Sequence, residues 1–416
     1  MVWICYYFYW YVYRICYKMN NKIKILILIL VICFIIGMTL WISVKGKNFI
    51  MDEDEGHGAN INYYVTGEYD KVIEKLTMPP TYHIIIGSIS KMFKINTPGG
   101  YRLINFLILL FCLIPVFYIS CNFNVLRTLQ FFFFPIMFMF YFLLYTDLFS
   151  LFLILLSFLL LTKNSYYLSS LSSLFAIFVR QDNLIWALFF CSYIYFKEQR
   201  ATSKEQRVKK YFKKIIGYLI SILILLIYIL YRGKLVLGDN IQHPIGVHFG
   251  NVWFSLFVFF LMFFPIILSH IKYIKNYVMN RKKPYLLILI IAFLFCFISF
   301  TNKHFYNHER GFWFNEVLLS TDNIFFRIFF VIAICVSLSY FLTLKYKDTE
   351  KYLLYPFSII FLSLSLLIDP RYYFIPFTFF LIFRKEENKK IEYILLFYYI
   401  TICLFFFLRL ITTNKF

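Results

Sequence analysis

Charge is scarce in this chain. Asp, Glu, Lys and Arg make up 15% of its 416 residues, while 61% are hydrophobic. A soluble domain cannot hide that much apolar surface, so the class is a polytopic membrane protein. Acid is scarcer than base: 21 Asp and Glu stand against 42 Lys and Arg, a formal net charge of +21. Glycine-rich phosphate loops are missing, with neither a Walker nor a GxGxxG pattern, so no site for a soluble nucleotide is legible. The nine Cys include no CxxC pair and lie mostly in or beside apolar runs. That excludes a disulfide frame or cysteine metal site in favour of small packing groups. Short segments of alternating polarity are absent, which excludes a membrane β-barrel. Internal repeats of the kind many transporters carry are absent too.

What is present is a series of unbroken apolar runs rich in Leu, Ile and Phe. They fall near 25–44, 80–94, 101–121, 128–145, 148–162, 166–179, 184–196, 215–232, 252–270, 285–300, 324–344, 352–368, 372–383 and 391–411. In lipid, such runs satisfy their backbone hydrogen bonds as helices. The expected fold is all-α: one polytopic transmembrane helical bundle over residues 1–416. It should have about 11–14 spans, the shortest runs being tilted or re-entrant. The first run is too long for a signal-peptide core and reads as a retained anchor. The Tyr- and Trp-rich stretch from Trp3 to Tyr17 suits a membrane interface.

Loop charge sets the orientation. Residues 197–214 hold eight Lys/Arg against two Glu, and 272–283 hold five Lys/Arg and no acid. These loops, with 345–351 and 384–390, are expected on the cytosolic side. That rule accounts for the positive charge without a nucleic-acid partner. The run 80–94, at Pro79-Pro80, is expected at the membrane interface, which keeps the span count in parity. The polar clusters then gather on the opposite face: 51–57, Tyr145-Thr146-Asp147, Arg180-Gln181-Asp182-Asn183, Gly238-Asp239-Asn240 with His243 and His248, Asp322-Asn323, and Asp369-Pro370-Arg371. Convergence on one face points to a single site.

Residues Asp52, Glu53, Asp54 and Glu55 place four carboxylates in a row just past the first apolar run. Such a run is either a source of a general base or a solvated loop. Nothing in it has metal-ligand spacing, and the adjacent His57 adds little to that reading. His243 and His248 are five apart with Pro244 and Gly246 between them, which is not a helical zinc pair. Arg180 lies between two apolar runs. It is either the partner of a phosphate-bearing lipid or half of a buried Arg–Asp pair. Pro370 breaks the helix before Arg371, which reads as an interface anchor or a second phosphate partner.

Taken together these motifs resemble the dolichyl-phosphate-glucose-dependent α-1,2-glucosyltransferases, which add the last glucose to the lipid-linked oligosaccharide for asparagine-linked glycosylation. Met51-Asp52-Glu53 with a following His, then Gly67 and Pro79-Pro80, resembles the family's opening motif. Tyr101-Arg102-Leu103-Ile104-Asn105 resembles its Leu-Arg-x-x-Asn, and Phe134-Pro135 with Tyr145-Thr146-Asp147 its Phe-Pro and Tyr-Thr-Asp. Arg180-Gln181-Asp182-Asn183-Leu184-Ile185-Trp186 is similar to its Arg-Gln-Thr-Asn-Ile-Val-Trp. Gly238-Asp239-Asn240 with His243 and His248, Leu318-Leu319-Ser320-Thr321-Asp322-Asn323, and Asp369-Pro370-Arg371-Tyr372 with Pro376 complete the series. Three departures stand out. One extra residue in the first motif lets its Asp-Glu map to Asp52-Glu53 or Asp54-Glu55; Asp182 replaces Thr; and Ile324-Phe325 replaces Arg-His.

The resemblance implies a GT-C type fold in the endoplasmic reticulum membrane with its site on the lumenal face. It implies dolichyl phosphate glucose as donor, the diglucosylated lipid-linked oligosaccharide as acceptor, and no cofactor. The β-linked donor and α-linked product imply a single in-line displacement with inversion, the logic of an inverting glycosidase with a sugar in place of water. A carboxylate among Asp52, Glu53, Asp54 and Glu55 then takes the proton of the acceptor 2-hydroxyl. Arg371 or Arg180 holds the leaving phosphate, so no metal is required. Asp239, His243 and His248 are expected to position acceptor hydroxyls. Asp182 lies in the Arg-Gln motif, and Asp147 is an alternative base or hydrogen-bond partner. Competing readings are another dolichyl-phosphate-sugar transferase (α-1,3-glucosyl or mannosyl) and a non-enzymatic transporter or channel-regulating protein.

Overall fold

The computed structural model describes residues 56–71, 78–198, 204–233, 246–280, 282–309, 312–346 and 348–413. The run 25–44, the stretch Trp3–Tyr17, the carboxylates Asp52 to Glu55, Asp239 and His243 lie outside the described residues. Among those described there are helices and turns and no strand. The apolar runs read from sequence coincide with these helices: 101–121 with Pro98–Ser120, 148–162 with Thr146–Thr162, 166–179 with Tyr166–Val179, 324–344 with Ile324–Thr343.

Four helices among the described residues are long and apolar enough to cross a membrane: Pro98–Ser120, Lys210–Tyr231, Ile324–Thr343 and Lys389–Arg409. A fifth crossing arises if Pro135–Tyr141 and Thr146–Thr162, bent by 107°, form one span. About 11–14 spans are expected from sequence; among the described residues four or five helices reach that length, and three further apolar helices, such as Gly250–Met262, are shorter. The reason is proline. Pro135 and Pro265 each start a new helix inside an apolar run, because proline cannot donate to the preceding turn. Pro115 is tolerated mid-helix because a π-turn, Leu109–Leu113, precedes it. The run 80–94 forms a 12-residue helix, Thr81–Met92, shorter than a crossing. Its Gly87 lies against the Tyr64 ring of the helix Ala59–Thr66, where a side chain would clash.

Serines bring helices together. Ser157 Oγ donates to the Ser169 carbonyl at 2.8 Å, and Ser172 Oγ donates to the Leu153 carbonyl at 2.8 Å. These bonds join Thr146–Thr162 to Tyr166–Val179 as a tight antiparallel hairpin, the small-residue packing that membrane helices favour. The six described cysteines are free, and Cys121, Cys191, Cys296 and Cys403 are buried as packing groups.

Beyond the hairpin turn, Arg384, the first residue of the basic loop 384–390, is buried. Its guanidinium donates to both Glu392 carboxylate oxygens at 2.6 Å and to Gln130 Oε1 at 2.8 Å. Gln130 Nε2 in turn donates to Glu392 Oε2 at 2.8 Å. Both charged side chains are 2% exposed. Removing one partner strands a buried charge, so Glu392→Ala should cost about 3–5 kcal/mol. Thermal unfolding of the detergent-purified protein measures this; an unchanged midpoint would mean the pair is solvated.

Candidate active site

The hairpin geometry assembles the site. Because its two helices run antiparallel, the start of Thr146–Thr162 and the end of Tyr166–Val179 lie at the same end. Asp147 occupies the first turn of one, where the helix dipole favours a carboxylate. Arg180 leaves the other in extended conformation, and Gln181–Asn183 make a single 3-10 turn. Buried Asn183 fixes that turn by donating to Ser150 Oγ at 2.7 Å and to the Ala176 carbonyl at 2.8 Å. Arg180 then meets two carboxylates. One Nη donates to Asp147, while Nε and the other Nη grip Asp182 at 3.2 and 2.8 Å. Burial alone would depress the guanidinium's pKa, but Asp147 and Asp182 outweigh it and hold Arg180 above its ordinary value. Its plane also lies over the Tyr372 ring, 5.4 Å from the centroid.

The second guanidinium comes from the turn Pro370–Tyr373. Asp369 caps this turn: one carboxylate oxygen accepts from the Arg371 N–H at 2.9 Å, and the other from Arg371 Nε at 2.7 Å. Two buried asparagines hold the loop behind it. Asn251 Nδ2 donates to the Leu367 carbonyl at 2.6 Å, and its Oδ1 accepts from the Asp369 N–H and the Tyr373 hydroxyl, each at 3.1 Å. Asn307 pairs with both backbone groups of Ile368, at 2.7 and 3.0 Å. The Arg371 guanidinium lies over the Tyr145 ring, 4.8 Å from its centroid.

Asp147, Ser150, Arg180, Arg371 and Tyr372 line one small cleft, with Phe361, Phe374 and Ile375 as its apolar wall. The Asp369-Pro370 turn also borders a small apolar hollow, lined by Pro135, Met139, Phe140, Trp313 and Phe406 among others. His57, the side chain nearest the acidic run among the described residues, packs its ring edge against Tyr145 at 5.3 Å. It is hydrogen-bonded to fully buried His83 at 2.9 Å. Burial and the neighbouring His57 push the His83 pKa well below the usual value, so that ring stays neutral.

Of the residues singled out from sequence, Asp147, Arg180, Asp182 and Arg371 are brought together. His248 is not in the cleft lining; its N–H donates to the Ser363 carbonyl at 2.8 Å, in the chain leading into Gly250–Met262. Asn323 caps the helix Ile324–Thr343 by accepting from the Phe325 and Phe326 N–H groups, at 2.9 and 3.3 Å. Ile324 and Phe325 are 52% and 79% exposed, pointing away from the bundle. Tyr145 and Tyr372 belong to motifs singled out from sequence, whereas Asn251 and Asn307 were not anticipated as site-forming residues. Asn251 stands at the very edge of the run 252–270, where an unpaired polar group would be costly; Asn307, in the loop between the runs 285–300 and 324–344, carries no such signal.

Fold and cleft together define a polytopic helical membrane protein with paired guanidiniums and carboxylates at one end of its helices. The family profile described as "DIE2/ALG10 family" matches residues 46–212 and 199–382, and the chain belongs to that family. A Candida albicans relative named "Dol-P-Glc:Glc(2)Man(9)GlcNAc(2)-PP-Dol alpha-1,2-glucosyltransferase" is 28% identical over 62% of this chain and 62% of its own length. Proteins of the same name from Debaryomyces hansenii and Homo sapiens are each 27% identical, over 35% and 44% of this chain. The chain thus spans less than two thirds of each relative's length: 62%, 35% and 46%. No solved structure matches.

Proposed function

We propose that this chain transfers glucose from dolichyl phosphate glucose to the diglucosylated lipid-linked oligosaccharide, in α-1,2 linkage and with inversion. The proposed place is the endoplasmic reticulum membrane, with the cleft facing the lumen. The observation that carries the reading is the cleft shared by Arg180, Arg371 and Asp147, in a chain whose relatives bear that transferase name. A lipid phosphate needs fixed positive charge beside apolar surface, and the cleft offers both.

In the proposed step, the acceptor 2-hydroxyl oxygen forms a bond to carbon one of glucose as the bond from that carbon to the phosphate oxygen breaks. The bonding electrons leave with the phosphate. A carboxylate of the run Asp52–Glu55, Asp52 or Asp54 first, takes the hydroxyl proton. The chain just past this run, at His57, enters the ring cluster beside Arg371, which supports that assignment. Arg180 is held by two carboxylates and Arg371 by one, Asp369, so Arg371 is the proposed phosphate contact and Arg180 fixes the cleft wall. Asp239, His243 and His248 remain proposed acceptor contacts. Neither a metal nor a cofactor is called on.

The test is transfer in vitro by the full-length protein with defined donor and acceptor lipids. Addition of one hexose to the diglucosylated acceptor is expected; no transfer, or transfer only from a mannosyl donor, overturns the reading. In the same assay Arg371→Lys should lower kcat/KM by about 10- to 100-fold, because lysine cannot offer the planar two-point contact. Wild-type turnover would move the phosphate contact to Arg180.

A further inference from the structure

Tyr145 touches the elements that carry both halves of the proposed chemistry. It is buried at the bend between Pro135–Tyr141 and Thr146–Thr162, in extended backbone that starts the second helix. One contact is the Arg371 guanidinium, 4.8 Å from the ring centroid. Another is the His57 ring, edge-on at 5.3 Å. A third is Phe140, edge-on at 5.2 Å, itself packed on Phe374 at 5.3 Å. Each neighbour is anchored from behind: His57 by its 2.9 Å hydrogen bond to buried His83, and Arg371 by Asp369, which Asn251 holds.

We propose that Tyr145 is a positioning residue: its ring clamps the Arg371 guanidinium and the His57 segment at a fixed separation. The proposal rests on the transfer reading above. An in-line displacement needs the base-bearing segment and the leaving-group contact held in one geometry, and small misplacements are costly. These two segments lie near opposite ends of the sequence. Tyr145, on a third element, is a contact they share. The aromatic face serves twice, through cation–π attraction to Arg371 and through edge packing with His57. The clamp draws on the face and edge of the ring.

The experiment compares Tyr145→Phe and Tyr145→Leu in the full-length protein. Per folded molecule, Tyr145→Leu should raise the donor KM roughly tenfold, the scale of a desolvated cation–π contact, and lower kcat as well. Tyr145→Phe should stay within about threefold of wild type, since its ring retains most of that attraction. Amide hydrogen exchange gives a readout independent of turnover: protection at 56–58 and 369–373 should fall together in Tyr145→Leu and hold in Tyr145→Phe. Unchanged KM and exchange in Tyr145→Leu would overturn the clamp, as would equal damage from both variants. If the wild type transfers no glucose, the transfer reading fails, and the exchange comparison still decides whether Tyr145 couples the two segments.

Discussion

Arg180→Ala is expected to destabilise the protein by about 3 kcal/mol and to remove its activity, because it leaves two carboxylates facing each other without a cation. Asp147 and Asp182 both depend on that guanidinium, and Asp147 is 6% exposed. The figure sits at the low end for a broken buried pair because Asp182 keeps 25% of its surface in solvent. Arg180→Lys should recover only part of the loss, since a single ammonium cannot serve two carboxylates in the geometry of a planar fork. The double change Arg180→Ala/Asp147→Ala should be less harmful than the two single losses summed. Thermal unfolding of the purified variants measures each corner of this cycle. Additive losses would mean that the two side chains do not depend on each other.

The helices were legible because lipid leaves the chain little choice: apolar runs must close their own hydrogen bonds. Their boundaries were legible where a run ends at a capping group or a proline, as at Asn323 and Pro370, whereas the break at Pro135 falls inside the run 128–145 and was not read. Side-chain partnership was much less legible. Arg384 sits among Lys385, Lys389 and Lys390, and charge counting assigns them together to one basic cytosolic loop without telling which is buried. Only the fold reveals Glu392 and Gln130 beneath its guanidinium. Arg180 offered two readings, and the choice between them depended on Asp147, 33 residues earlier, coming to the same end of a hairpin. Asn251 gave no motif that marks a loop anchor, because its partners are backbone groups more than a hundred residues away. Long-range pairing follows from topology, which local sequence patterns do not encode.

The largest effect is expected at the acidic run. If one of its carboxylates accepts the proton of the attacking hydroxyl, Asp52→Ala/Asp54→Ala should lower kcat by about 100- to 10,000-fold, the usual contribution of a general base. The cleft itself constrains the alternatives. Asp147 and Asp182 are both committed to Arg180, and Asp369 to Arg371, so each already spends its charge on a guanidinium. To reach the acceptor hydroxyl each would have to leave that guanidinium and strand a buried charge, which makes these three weaker choices than a carboxylate delivered by the segment before His57. Membrane insertion and thermal unfolding of the double variant, measured alongside transfer, separate a catalytic loss from a folding one. Transfer of glucose between defined lipids, normalised to folded protein, is the measurement. Full turnover by Asp52→Ala/Asp54→Ala would leave Glu53, Glu55 or Asp147 as the base. Asp147→Asn, which keeps a hydrogen bond to Arg180 while removing basicity, would then separate the last of these from the first two.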